Sequence, residues 1–315
     1  MEHEPVLVQP VVDFLAPALV DGGVLVDATL GRGGHAARLL EAAPQARLLG
    51  LDRDPVALEE SGTNLSVFAE RIQLLRADFK DLASVLERLG VASVRGVLLD
   101  LGVSSPQLDE SQRGFSYRAG GPLDMRMDPS QPLSAHDVVN GYSQSRLERV
   151  VRVYGEERFA RRIAGAVVKA RPIDDTTRLA EVVKDAIPAA TRRTGPHPAR
   201  RTFQAIRIEV NGELEALESA LPQAVDVLEP GGRCAVISYH SLEDRIVKRF
   251  FNEETKGCVC PPDFPVCRCD AQTRVRVLTR KPVRPPANEL SRNPRARAAK
   301  LRVAERSDPT QTYPA

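Results

Sequence analysis

The stretch Gly23-Val-Leu-Val-Asp27-Ala-Thr-Leu-Gly31-Arg-Gly33-Gly34-His35-Ala36 decides how this chain folds. Gly23 to Asp27 is an aliphatic run closed by an acid, the pattern of a short strand buried on both faces. The glycines that follow suit a strand-to-helix turn where backbone approaches a ligand closely. His35 to Ala42 then reads as a helix. Taken alone the turn fits two ligands, because Gly31, Gly33 and Ala36 also match the dinucleotide fingerprint G-x-G-x-x-A.

Working outward, Arg47 to Asp52 is the next strand, and a helix opens at Pro55, where proline suits the first turn. Ile72 to Arg76 and Val94 to Asp100 are further strands, with a helix from Leu82 to Leu89 between them. This alternation implies a parallel, doubly wound α/β sheet covered on both faces. From about Asp109 to Thr202 no strand is convincing. A Gly/Pro-rich stretch (Ala119 to Pro129) leads into helical segments at Arg146 to Tyr154 and Glu156 to Arg171. Glu209 to Val227 is then helical. Glu229-Pro-Gly-Gly-Arg233 stops that helix before a strand at Gly232 to Ser238, and Leu242 to Phe251 is helical. Thr273 to Thr279 and Ala299 to Ala304 suit a closing antiparallel pair. The expected organisation is one α/β domain over 1–108 and 203–315, interrupted by a helical domain over 109–202.

Charge separates the two ligands. Ligands of open α/β sheets sit beyond the carboxyl ends of the strands, and here those ends carry Asp27, Asp52, Asp78 and Asp100. Such a rim repels a pyrophosphate and suits a ligand with cationic groups. S-adenosylmethionine, with its sulfonium and ammonium, is such a ligand; NAD is not. Asp52, near the end of the second strand, suits a ribose diol in either case. The bland alternative is that these acids cap helices and turns.

The remaining composition narrows the class. The chain of 315 residues is 42% hydrophobic and 27% charged, with a net charge of +2. No apolar run approaches the roughly 20 residues of a membrane span. Met1-Glu-His-Glu-Pro5 lacks the basic flank and apolar stretch of a secretory leader, so no membrane partner and a cytoplasmic location are expected. Its cysteines are then expected as reduced thiols, with Cys234 a small core residue. Arginines cluster at Arg192, Arg193, Arg200, Arg201 and Arg207, and along a tail from Arg274 to Arg302 opposed by Glu289 alone. Such clusters fit phosphate contact with RNA, or a solvated basic surface.

Several long strings resemble the MraW family, ribosomal small-subunit RNA methyltransferases H. They include Thr29 to His35, Leu51-Asp-Arg-Asp-Pro55, Leu98 to Asp109, Arg113-Gly-Phe-Ser116 and Gly121 to Asp128. Tyr154 to Ala160, Arg201 to Ala205, Ser238 to Lys248 and Asn293 to Arg297 extend the resemblance to about residue 306. It implies a class I (Rossmann-like) S-adenosylmethionine-dependent methyltransferase with an inserted helical RNA-recognition domain. It implies methylation of N4 on one cytidine in the decoding region of 16S rRNA, met within assembling small ribosomal subunits. It also implies cofactor contacts at Gly33, Gly34 and His35, at Asp52 on the ribose, at Phe79 beside the adenine, and at Asp100 and Gln107.

The nucleophile in such a reaction is an amino nitrogen whose lone pair is delocalised into the ring, so the protein must supply acceptors and alignment. Ser104, with its backbone carbonyl, is a candidate for orienting that amine. His240 is a candidate on the substrate side, with a hydrogen-bonded helix-start residue as the alternative. The loop Ser104-Ser-Pro-Gln107 lacks the aromatic of the Ser/Asp-Pro-Pro-aromatic loop of amino-methyltransferases, leaving base stacking to Phe115, Tyr117 or Tyr239. Cys258, Cys260, Cys267 and Cys269 suit a four-thiolate zinc site, a redox-labile loop, or small residues in a proline-rich turn. No metal is assigned to the active site. An NAD-dependent oxidoreductase and a non-catalytic RNA-binding assembly factor are the rival readings, and nothing in the sequence points to an oligomeric state.

Overall fold

The computed structural model describes residues 5–118, 120–192, 197–257 and 272–308. The chain forms two compact units, one of residues 1–102 and 215–315 and the other of residues 103–214. These divisions fall earlier and later than the expected 109 and 202. The physical reason for the later division lies in the helix Arg200–Asn211, whose Phe203, Ala205, Ile206 and Val210 are buried in the second unit's own core. It ends where Gly212 adopts φ 58°, so the single helix expected from Glu209 to Val227 is two helices.

In the first unit, α1 (Val8–Leu15) leads to β1 (Gly23–Asp27), α2 (Gly34–Ala42), β2 (Ala46–Asp52) and α3 (Pro55–Asn64). Then come β3 (Ile72–Arg76), α4 (Leu82–Arg88) and β4 (Val94–Asp100). The second unit carries α5 (Ser105–Asp109), α6 (Ala135–Gly141), α7 (Gln144–Val153), α8 (Ala160–Ala170), α9 (Thr176–Ala186), α10 (Ala189–Arg192) and α11 (Arg200–Asn211). The helix α12 (Glu213–Asp226) leads back to β5 (Leu228–Ser238), α13 (Ser241–Glu254), β6 (Val275–Val277), α14 (Ala287–Arg292) and β7 (Lys300–Arg306).

The seven strands are ordered β3-β2-β1-β4-β5-β7-β6, with β7 antiparallel to both β5 and β6. The aliphatic runs are continuous because both faces of the sheet are covered. Neighbouring residues enter opposite cores: Leu25, Leu48, Leu98 and Ile237 pack into one, and Val26, Leu49, Leu99 and Val236 into the other. Cys234 belongs to the second of these cores, and burial pushes its thiol up to about 12. The Pro-Gly-Gly expected as a turn before β5 lies inside that strand as an irregularity. Val94 pairs with Leu228, but Gly96 pairs with Arg233, and Gly231 takes φ 79°.

The chain winds from β1 through β2 to β3 on one side and from β4 to β5 on the other. The β1–β4 boundary is therefore the switch point at which this sheet class receives a ligand. The second unit is a helical bundle around Leu147, Val151, Ile163, Val183 and Ile206. Its Gly/Pro-rich stretch is anchored by Asn211, which accepts from the Met127 N–H at 2.8 Å and donates to the Met125 carbonyl at 2.7 Å. Among the described residues, no helix is long and apolar enough to cross a membrane.

Candidate active site

Asp27, Asp52 and Asp100 are the last residues of β1, β2 and β4, so three neighbouring strands deliver three carboxylates to one edge. The turn after β1 is laced to both flanking strands. Leu30 N–H donates to the Leu51 carbonyl at 2.9 Å, and Gly31 N–H donates to Asp52 Oδ2 at 2.8 Å. On the other side Asp100 N–H donates to Thr29 Oγ1 at 2.6 Å. Gly31 and Gly33 take φ 52° and 76°, the left-handed region where glycine carries no Cβ penalty. A Cβ on Gly33 would come within 2.9 Å of Leu65, and one on Gly34 within 2.3 Å of Pro5.

Burial dominates the electrostatics of this edge. It pushes the Asp27 carboxyl up to about 8, with the Thr29 N–H opposing and the charges of Asp100 and Asp52 adding. Burial likewise raises Asp52, against the N–H groups of Asp54 and Gly31. The charges of Asp100 and Asp52 beside the buried Asp27 make an edge that a cationic group would stabilise. Asp78, expected as a fourth member, does other work. It accepts from Lys80 N–H at 3.1 Å as the cap of a short helical turn, and it lies 3.5 Å from the Arg53 guanidinium. Phe79 follows it, half-buried against the core that contains Val26 and Leu99.

His35 is buried, with Nε2 2.8 Å from the Val6 carbonyl and Nδ1 3.6 Å from Asp100 Oδ2. The other Asp100 oxygen accepts the Tyr239 hydroxyl at 2.9 Å. Burial, then the Asp100 charge and hydrogen bond, hold that phenol well above its usual range.

A family model for the MraW methylase family matches residues 1–307. The chain belongs to that family. Its methyl donor is S-adenosylmethionine. A protein of Heliobacterium mobile named ribosomal RNA small subunit methyltransferase H is 52% identical over 309 residues, covering 96% of this chain and 98% of that protein. A Thermobifida fusca protein of the same name is 53% identical over 309 residues, covering 97% and 93%.

In this methylase, Gly33, Gly34, His35, Asp52, Phe79 and Asp100 all lie in the first unit, on or beside the ends of β1 to β4. Gln107 and Ser104 lie at the opening of the second unit, where Gln107 is buried and its Oε1 accepts the Ser104 N–H at 3.1 Å. The Ser104 carbonyl takes the Leu108 N–H at 3.3 Å, which occupies one of its lone pairs. His240 caps α13: its Nδ1 accepts from Glu243 N–H at 3.3 Å, and the Glu243 carboxylate accepts from His240 N–H at 3.1 Å.

The three aromatic candidates for base stacking are placed differently. Phe115 is buried in the second unit's core, and Tyr239 is bonded to Asp100. Tyr117 stacks on His197, with centroids 4.7 Å apart and planes 16° apart. The basic tail is partly neutralised within the fold. Arg302 is buried and pairs with Asp244 at 2.7 Å, Lys300 pairs with the same carboxylate, and Arg276 pairs with Glu305. Arg207 is likewise taken by Glu213, with two contacts at 2.8 Å. Arg193 and the cysteines 258, 260, 267 and 269 lie outside the described residues. Thr29 and Val6 build the site without having been candidates from the sequence, and Tyr239, a candidate for base stacking, instead donates its hydroxyl to Asp100. A threonine inside the glycine turn is the signal for Thr29; the role of Val6 is a backbone carbonyl and leaves no mark in the residue type.

Proposed function

We propose that this methylase transfers a methyl group from S-adenosylmethionine to the N4 amino group of a cytidine in the decoding region of 16S rRNA. The observation that carries the donor side is the rim of Asp27, Asp52 and Asp100 at the switch point of the sheet. The names of relatives about half identical over nearly the whole chain support the RNA, and the sequence strings set out above support the cytidine amine. Assembling small subunits in the cytoplasm are the expected setting.

The residues fit such a donor. The left-handed Gly31 and Gly33 keep side chains off the turn, and clustered carboxylates complement a ligand bearing sulfonium and ammonium groups. Gly33, Gly34 and His35 would line the turn, Asp52 would take the ribose diol, Phe79 would lie beside the adenine, and Asp100 and Gln107 would fill the remaining polar contacts. When bound, the donor supplies an electrophilic methyl group on a positively charged sulfur. The chain's own task is to hold the base still and accept hydrogen bonds from its amine, which aligns the nitrogen and can lower the barrier by several kcal/mol. We assign that acceptor role to Ser104. We assign His240 to the cap of α13, because its Nδ1 is engaged there and its Nε2 faces Glu243 Oε1 at 3.2 Å.

RNA contact is assigned to the second unit. Its exposed Arg149, Arg158, Arg161, Arg162 and Arg200 offer guanidinium groups to phosphates. Exposed tail residues such as Arg280, Lys281, Arg284 and Arg297 add to them. The base must be unstacked or already single-stranded to be reached. Mass spectrometry of 16S rRNA from cells with and without the protein tests the whole reading. One cytidine in the decoding region is expected to lose a methyl group; an unchanged profile refutes the substrate. Competition between S-adenosylmethionine and NAD for the purified protein separates this reading from an oxidoreductase.

A further inference from the structure

The N-terminal turn is fastened to the site by buried groups that the reading above leaves unused. Leu7 is fully buried and sits at φ 57°, ψ 33°. A leucine enters that left-handed region at a conformational cost, and only where its surroundings hold it there. Its backbone N–H donates to Glu289 Oε1 at 2.8 Å, across 282 residues of sequence. Glu289 lies in α14 and is itself buried. The carbonyl of the preceding residue, Val6, accepts from His35 Nε2 at 2.8 Å. One residue earlier, Pro5 covers Gly34 so closely that no Cβ fits between them. Three consecutive residues are thus gripped by the glycine turn, the first residues of α2 and a helix near the far end of the chain.

We propose that Glu289 is a positioning residue for the donor site. By holding Leu7 in its left-handed conformation it aims the Val6 carbonyl at His35. That hydrogen bond fixes which ring nitrogen carries the proton and how the imidazole stands beside Asp100. Asp100 is held by the Tyr239 hydroxyl at Oδ1, and the His35 ring borders its other oxygen, with Nδ1 3.6 Å from Oδ2. Without the Glu289 acceptor, Leu7 has a buried unpaired N–H and relaxes toward an ordinary φ. The carbonyl before it turns with the shared peptide plane, and the imidazole loses its anchor. The proposal rests on the reading of His35 and Asp100 as donor contacts.

The test uses full-length protein with Glu289→Gln, Glu289→Ala and the control Val303→Ala, which thins the core that Leu7 shares but removes none of the hydrogen bonds at this turn. Donor Kd by calorimetry, Tm, and exchange of the His35 Nε2 proton by NMR are measured for each. Glutamine still offers Oε1, so donor Kd and proton exchange should stay within twofold of the wild type. Alanine should raise donor Kd about tenfold, speed exchange of the His35 proton at least tenfold, and leave kcat at saturating donor within threefold. Val303→Ala should lower Tm yet leave donor Kd within twofold. The proposal is overturned if Glu289→Ala leaves the His35 proton as slow to exchange as in the wild type. It is equally overturned if Val303→Ala weakens the donor as much as Glu289→Ala does at equal loss of Tm. Fast exchange in Glu289→Ala combined with a wild type that binds no donor would uphold the positioning of His35 and refute the donor reading of the site.

Discussion

Replacing Asp27 by asparagine tests the acid rim most directly. The wild-type carboxyl is pushed from 3.8 up to about 8, first by burial and then by Asp100 and Asp52. Because the folded value lies above the unfolded one, the unfolded chain ionises first as pH rises, and the folded state loses stability across that interval. Asparagine keeps the shape and an acceptor for the Thr29 N–H, and it does not titrate. Any cost of its extra N–H groups is constant with pH. The stability of wild type relative to Asp27→Asn should therefore fall by about 1.4 kcal/mol per pH unit, or about 4 kcal/mol between pH 5 and pH 8. Below about pH 3 the difference should stop changing. Urea unfolding of both proteins at pH 5, 6, 7 and 8 reads this directly. A cationic donor reverses the balance, so its binding near pH 7 should release protons from the wild type and fewer from the variant. Calorimetry in two buffers of different ionisation heat measures that release. Stability curves that run parallel across this range would refute the argument that Asp27 is a buried, mutually repelled carboxyl.

Three further outcomes follow from named contacts. Gly33→Ala places a Cβ 2.9 Å from Leu65 at φ 76°, so donor affinity should drop more than tenfold; retained affinity would show that the turn adapts freely. Burial works to raise the Asp244 carboxyl, but hydrogen bonds from Arg302 and Lys300 outweigh it and hold it low. Arg302→Ala should accordingly cost about 3 kcal/mol in chemical unfolding at pH 7. That stability is present above the unfolded pKa and lost as pH falls through the folded one, so the gap should close in acid; a pH-independent cost contradicts the pairing. Arg161→Gln together with Arg162→Gln should reduce the salt slope of RNA binding by about 1–2, whereas an unchanged slope in filter binding would move the RNA surface elsewhere.

Much of the fold was legible because its signals are local. A buried parallel strand shows as an aliphatic run, and the acid closing β1, β2 and β4 is the next residue along. Helix starts such as Asp54-Pro55 carry their own signature, and the structure shows Asp54 accepting from Val56 N–H at 3.1 Å. The limits of the inserted unit were less legible, since the pattern of α11 alone does not say which core its Phe203 and Ile206 enter. The Pro-Gly-Gly before β5 shows the same limit: its residues allow a turn or a bulge, and pairing with β4 selects the bulge.

By itself the sequence determined the alternation of strands and helices, the glycine turn after β1, and the acids at the strand ends. These depend on residues within a few positions of one another. Tertiary structure alone decided which charges stay available. Asp78 is drawn to Arg53, Arg302 is buried against Asp244, and Arg207 is taken by Glu213. It also decided that Leu7 meets Glu289 across 282 residues and that the neighbouring Val6 carbonyl meets His35. A charge is neutralised, or a backbone N–H satisfied, only by a partner brought close in space, and no pattern of neighbours along the chain specifies that partner.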